Sequence, residues 1–108
     1  MATRKAKVTT PPSVDWRAQA NALKAIANPA RIQIIALLHT FEGEMTASEI
    51  MFELERFAQP TVSHHLAILV RAGIVIKEKR GVFSYHVLDE HRLEETVEGI
   101  KEILCHHV

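Results

Sequence analysis

The sequence predicts a small, mainly α-helical domain that carries one β-hairpin. Three observations predict it. Stretches of good helix-forming composition, several opened by capping residues, run from about Val14 to Arg71. The period then changes over Ile74–Leu88, where β-branched and aromatic residues flank a charged tip ending in Gly81. A last stretch carries Leu93, Val97, Ile100 and Leu104 at helical spacing.

The chain has 108 residues, enough for one domain with a single core. Hydrophobic residues make up 47% and charged residues 24%, as in ordinary globular proteins. No apolar run reaches the length of a membrane span, so no membrane partner is expected. Residues 1–13 are basic, contain Pro11 and Pro12, and lack the apolar stretch of a signal peptide. They read as a flexible tail on a cytoplasmic protein, with residues 14–108 as the folded domain. Cys105 is the only cysteine, which excludes an intramolecular disulfide. The terminal CHHV matches a prenylation signal poorly, because His stands where aliphatic residues are needed.

Each element has a local reason. VDWRAQANALKAIA favours a helix with Trp16, Leu23 and Ile26 as its large apolar positions. Asn28 is a good N-cap and Pro29 suits the first helical position of NPARIQIIALLHTF, whose isoleucines and leucines make it apolar nearly all round. That predicts the central buried helix. EGE reads as a turn. Thr46 with Glu49 three residues on is a capping box for a short helix over TASEIMFEL. QPTVSHHLAILVRAG has Pro60 early and Gly73 just past its end, the expected asymmetry of start and stop. The hairpin follows, and Asp89 caps the last helix.

Two short helices joined by a tight break, then a hairpin, make a winged helix-turn-helix, in the order α-α-α-α-β-β-α. The second helix of such a motif meets the DNA major groove with its N-terminal residues. That explains why Gln59, Thr61, Ser63 and His64 crowd the start of a helix that must also bury Leu66 and Leu69. Gln pairs bidentately with adenine, and hydroxyls reach bases or phosphates. His65 shares the inward face with Val62 and Leu69 and reads as a packed, hydrogen-bonded residue. The wing offers Lys77, Lys79 and Arg80 to phosphates or the flanking minor groove; the plain alternative is a basic turn kept for solubility. Formal net charge is zero. Between residues 56 and 80, however, Arg56, Arg71, Lys77, Lys79 and Arg80 stand against Glu78 alone. Between residues 89 and 102, six acids stand against Arg92 and Lys101. A local basic patch is what phosphate binding requires.

LKAIANPARIQIIALL, QPTVSHHLAILVRAGIV and KRGVFSYHVL, in that order and spacing, resemble the ArsR/SmtB family of bacterial transcriptional repressors. The resemblance covers roughly Ala20 to Leu104. It implies a homodimer through the first and last helices, binding to an inverted-repeat operator in double-stranded DNA, and release by an effector, often a metal ion. Trp16, Leu23, Leu93, Val97, Ile100 and Leu104 are the expected dimer interface. The apolar face of the last helix, left over once the winged domain has closed, supports that expectation; padding of the monomer's own core is the alternative.

Family members that sense zinc, nickel or cobalt bind it between two last helices. The resemblance places that site at Asp89 and His91 with Glu102 and Cys105, donors suited to Zn²⁺ or another divalent transition metal. Asp89 is also explained as an N-cap and His91 as a first-turn surface residue, so the site stays open. The family's other site, cysteines on the helix after Thr46, has no counterpart in TASEIMFEL. His39 and His86 receive no role. An enzyme is not expected: no phosphate-binding glycine loop occurs, and the neighbours Ser63 and His64 do not face each other on a helix. The competing class is a winged-helix protein-interaction module without DNA binding.

Overall fold

The computed structural model describes residues 15–54 and 59–105; the side chains of Gln59, Pro60 and Ile103 are outside the described set. The 1–13 segment read as a tail lies outside the described residues, as does Arg56. Helix α1 spans Trp16–Ile26, and Asp15 caps it by accepting from the amides of Arg17 and Ala18 at 3.0 and 3.1 Å. Helix α2 spans Pro29–Thr40 behind the Asn28 cap. Its buried face is Ala30, Ile34, Ile35 and Leu38, while Ile32 remains half exposed. This helix is therefore one-sided rather than buried all round: only one face can meet the other helices and the sheet.

The EGE segment differs from its sequence reading. The turn closes at Gly43, and Glu44–Thr46 form a short strand, β1. Glu42 and Gly43 take φ of +60° and +90°, which swings the chain out of α2 into extended backbone. The element order is thus α-α-β-α-α-β-β-α. Thr46 then caps α3 (Ala47–Glu53), and the capping box forms as read: Glu49 Oε1 accepts from Thr46 N at 2.8 Å and Thr46 Oγ1 from Glu49 N at 3.2 Å.

Helix α4 spans Gln59–Arg71. It ends in a Schellman motif, with Gly73 at φ +79°: Ile74 N donates to Leu69 O and Gly73 N to Val70 O. Strands β2 (Val75–Arg80) and β3 (Phe83–Leu88) form the hairpin across a two-residue turn, where Gly81 takes φ +62°. The sheet order is β1-β3-β2, antiparallel throughout. Asp89 accepts from Arg92 N at 3.0 Å at the start of α5 (Glu90–Cys105).

The core lies where α2, α3 and α4 meet the inner face of the sheet. Ile34, Leu38, Ile50, Val62, Leu66, Leu69, Ile74, Val75 and Leu88 form it, with Leu93 of α5 half-buried against its edge. Helices α1 and α5 pack together beside this core. Gln19 Nε2 of α1 donates to the Thr96 carbonyl of α5 at 2.7 Å. No helix among the described residues is long and apolar enough to cross a membrane.

Candidate nucleic-acid interface

The spacing of α4 explains its division. Val62, Leu66 and Leu69 recur every three or four residues, which puts them on one side of the helix, and all are buried. The opposite side is exposed and holds Thr61, Ser63, His64, Ala67 and Arg71. Gln59 opens the helix, but its side chain is outside the described set. Arg71, counted from the sequence only within the basic stretch, stands on this face of the helix. It lies seven residues from His64, close to two full turns, so the two share a face. Among the described residues no carboxylate pairs with Arg71. The i, i+7 relation was the signal available in the sequence.

The adjacent histidines have different surroundings. His64 is exposed. His65 is half-buried, and its Nδ1 lies 3.1 Å from Arg31 Nη1 of α2. Burial, the Arg31 charge and the neighbouring His64, in that order, hold the His65 imidazole below the ordinary histidine range.

The wing divides its cations. Lys77 and Lys79 are exposed, with no carboxylate at ion-pair distance among the described residues. Arg80 is engaged. Its guanidinium donates to both Glu44 oxygens, at 3.2 and 2.7 Å, and twice to Glu78 Oε1, at 3.2 and 2.9 Å. It also lies over the Tyr85 ring at 4.6 Å. The strand register explains the reach. Thr46, Tyr85 and Glu78 pair in one row across the sheet, and Arg80 and Glu44 flank that row on the outer face. Arg80 thus crosses β3 to tie β2 to β1. Hydrogen bonding from Arg80 lowers the Glu44 carboxyl below its usual range, and Glu44 and then Glu78 raise Arg80 above its own.

His86 lies in the central strand β3, on the inner face between Met45 and Lys77, and is 6% exposed. Its Nδ1 has no hydrogen-bond partner among the described residues. Burial first, then the Lys77 charge, lowers its pKa. His39 Nδ1 donates to Glu90 Oε1 at 2.7 Å and links the end of α2 to the start of α5.

The expected interface residues fall into two sets. Trp16 and Leu23 on α1, and Val97 and Leu104 on α5, are exposed, Leu104 by 68%. Leu93 and Ile100 are half-buried, Leu93 against the monomer's own core. The four candidate metal ligands are not brought together within one chain. Asp89 caps α5, and His91 points to solvent with Glu95 at 3.8 Å. Glu102 lies about 17 Å further along the axis at 1.5 Å per residue. Cys105 is exposed at the far end. Among the described residues, no group of three or more His, Cys, Asp or Glu is placed to hold a metal ion.

Comparison with known proteins agrees with this geometry. Residues 28–77 match the model of the family described as bacterial regulatory protein, arsR family. An HTH-type transcriptional regulator of Methanocaldococcus jannaschii is 37% identical over 84 residues, covering 78% of this chain and 92% of the relative. The transcriptional repressor SdpR of Bacillus subtilis is 36% identical over 77 residues, covering 71% and 82%. The structure of HlyU from Vibrio cholerae superposes with a TM-score of 0.64 at 29% identity, covering 82% of this chain and 94% of that one. The family match spans α2, β1, α3 and α4 and ends at Lys77, within β2, so it includes the helix that carries the exposed polar face. The chain belongs to the arsR family of bacterial regulatory proteins, DNA-binding transcriptional regulators of the winged helix-turn-helix fold.

Proposed function

We propose that this regulator works as a cytoplasmic homodimeric repressor that binds an inverted-repeat operator in double-stranded DNA and leaves it when an effector binds. The observation that carries the reading is the exposed face of α4: Thr61, Ser63, His64 and Arg71 stand opposite a buried apolar stripe. With α4 in the major groove, the hydroxyls and His64 meet base edges or phosphates, with Gln59 at the leading end and Arg71 on the backbone. Lys77 and Lys79 of the wing reach the flanking phosphates. Arg80 serves the wing's geometry through Glu44 and Glu78.

Dimerisation is supported by the exposed apolar residues of two adjacent helices, Trp16, Leu23, Val97 and Leu104. A two-fold operator calls for a two-fold protein. Val97→Glu puts a charge into that surface and is expected to halve the mass measured by light scattering. An unchanged mass would place the interface elsewhere.

For the effector, we take Zn²⁺ or another divalent transition metal as the class to test first. Antiparallel pairing of two α5 helices is the arrangement that would bring Asp89 and His91 of one copy near Glu102 and Cys105 of the other. The test is fluorescence anisotropy of the metal-free protein on its own upstream DNA at several salt concentrations, followed by Zn²⁺ titration. A steep salt slope is expected, because neutralised phosphates release counterions. Absence of binding would favour the protein-interaction module. Tight binding that ignores Zn²⁺ would retain the repressor and remove those four residues from the effector site.

A further inference from the structure

Helix α1 ends at Ala27 without a glycine cap. The ladder closes with Ala27 N on Leu23 O at 2.9 Å, and the carbonyls of Lys24, Ala25 and Ile26 need donors from outside it. A backbone amide supplies one: Asn28 N donates to Ile26 O at 2.7 Å. The side chain of Arg31 supplies the others. Its Nε donates to Ala25 O at 2.6 Å and its Nη2 to Lys24 O at 3.5 Å. The cation also sits at the negative end of the α1 dipole.

The third limb of the same guanidinium leaves α1 behind. Nη1 reaches His65 Nδ1 of α4, 34 residues on, at 3.1 Å. Arginine only donates, so Nδ1 accepts and His65 is the neutral tautomer with its proton on Nε2. The depressed pKa of His65 agrees with that state. His65 precedes the buried Leu66 and follows the exposed His64. A turn of α4 about its axis would therefore move the imidazole off the guanidinium and swing His64 and Arg71 together. Through Gln19 and the Thr96 carbonyl, α1 is in turn tied to α5.

We infer that Arg31 is a positioning residue for DNA recognition: it bonds the terminal carbonyls of α1 and His65 at once, and so sets how the polar face of α4 is turned toward the groove. The inference rests on the reading of α4 as the helix that enters DNA. A rigid planar fork suits the task, whereas a lysine's three donors radiate from one nitrogen and match acceptors spread over two helices less well. In a dimer, the azimuth of each α4 relative to the α1–α5 layer decides whether both half-sites are met together.

The test compares wild type with Arg31→Lys, Arg31→Met, His65→Leu, His65→Asn and the Arg31→Met/His65→Leu double variant, reading affinity for the upstream duplex and Tm for each. Asn places an oxygen near the position of Nδ1 and retains the acceptor. Arg31→Lys, Arg31→Met and His65→Leu are each expected to lose about tenfold in affinity, the scale of one hydrogen bond to a charged group. The double variant is expected to lose no more than the worse single one, and His65→Asn to bind within about threefold of wild type. Losses that add, losses that follow Tm alone without rescue by His65→Asn, or full affinity in Arg31→Met would each overturn the inference while leaving the DNA reading in place. If Arg31→Met does not fold, the His65→Leu and His65→Asn pair decides. A wild-type protein with no salt-sensitive duplex binding would remove the DNA reading itself, and this inference with it.

Discussion

Helix α4 and the wing treat their polar side chains in opposite ways. On α4, Thr61, Ser63, His64 and Arg71 stand on an exposed face opposite a buried stripe. On the wing, Arg80 is held by Glu44, Glu78 and Tyr85, while Lys77 and Lys79 remain exposed. The difference teaches that a count of cations along a sequence is not a count of cations available to phosphate. A helix face is set by spacing within a few turns. The engagement of a strand residue depends on which distant strand the sheet brings beside it.

The contrast predicts, first, that α4 is far less tolerant of core loss than the wing tip. Leu69 is fully buried, and Leu69→Ala is expected to cost about 2–5 kcal/mol in urea unfolding. Val82 is 88% exposed, and Val82→Ala is expected to stay within about 0.5 kcal/mol. Comparable losses at both positions would mean that the wing tip is packed in solution.

Next in size is the loss from the polar face. Thr61→Ala with Ser63→Ala is expected to weaken operator binding by about 1–3 kcal/mol, roughly fivefold or more, with Tm and mass unchanged. Unchanged affinity in an anisotropy titration would take this face out of the interface.

A smaller effect separates the wing's cations from one another. Lys79→Ala is expected to reduce the salt slope of binding by about one contact. Arg80→Ala is expected to leave the slope nearer to wild type, since its charge is already matched by two carboxylates. Equal slope changes would show that Arg80 exchanges its carboxylates for phosphate on binding.

The smallest expected effect is a pH dependence of stability carried by His86 and His65. Both are held below the ordinary histidine value, so the unfolded chain takes up their protons first as pH falls. Their contribution is complete above about pH 6.5, the unfolded value, and is lost as pH falls toward the folded values. Tm measured from pH 8 downward should therefore decline, and decline less in His86→Leu. Identical profiles would remove His86 from the account.

Most of the helices were legible because their signals are local. The Asn28 and Asp89 caps, the Thr46–Glu49 box and Gly73 each act within one turn, and each does so in the fold. The hairpin was legible from the shift of period and from Gly81. Strand β1 was not, because three extended residues have no periodicity of their own. Their partner is the edge of β3, where Glu44 faces Val87 and Thr46 faces Tyr85. The apolar content of α2 overstated its burial for the same reason: composition does not say which side has a neighbour.

In the candidate interface, the leading residues of α4 could be read, and so could the inward placement of His65. The bond from His65 to Arg31 could not, nor could the use of Arg80 by Glu44. What the sequence by itself determined is the five helices, the hairpin and the local caps, since helix and strand periods relate residues only a few positions apart. Tertiary structure alone decided the third strand, the engagement of Arg80 and the bridge from α1 to α4. Those bonds join residues more than thirty positions apart, and only packing of the core brings them within reach.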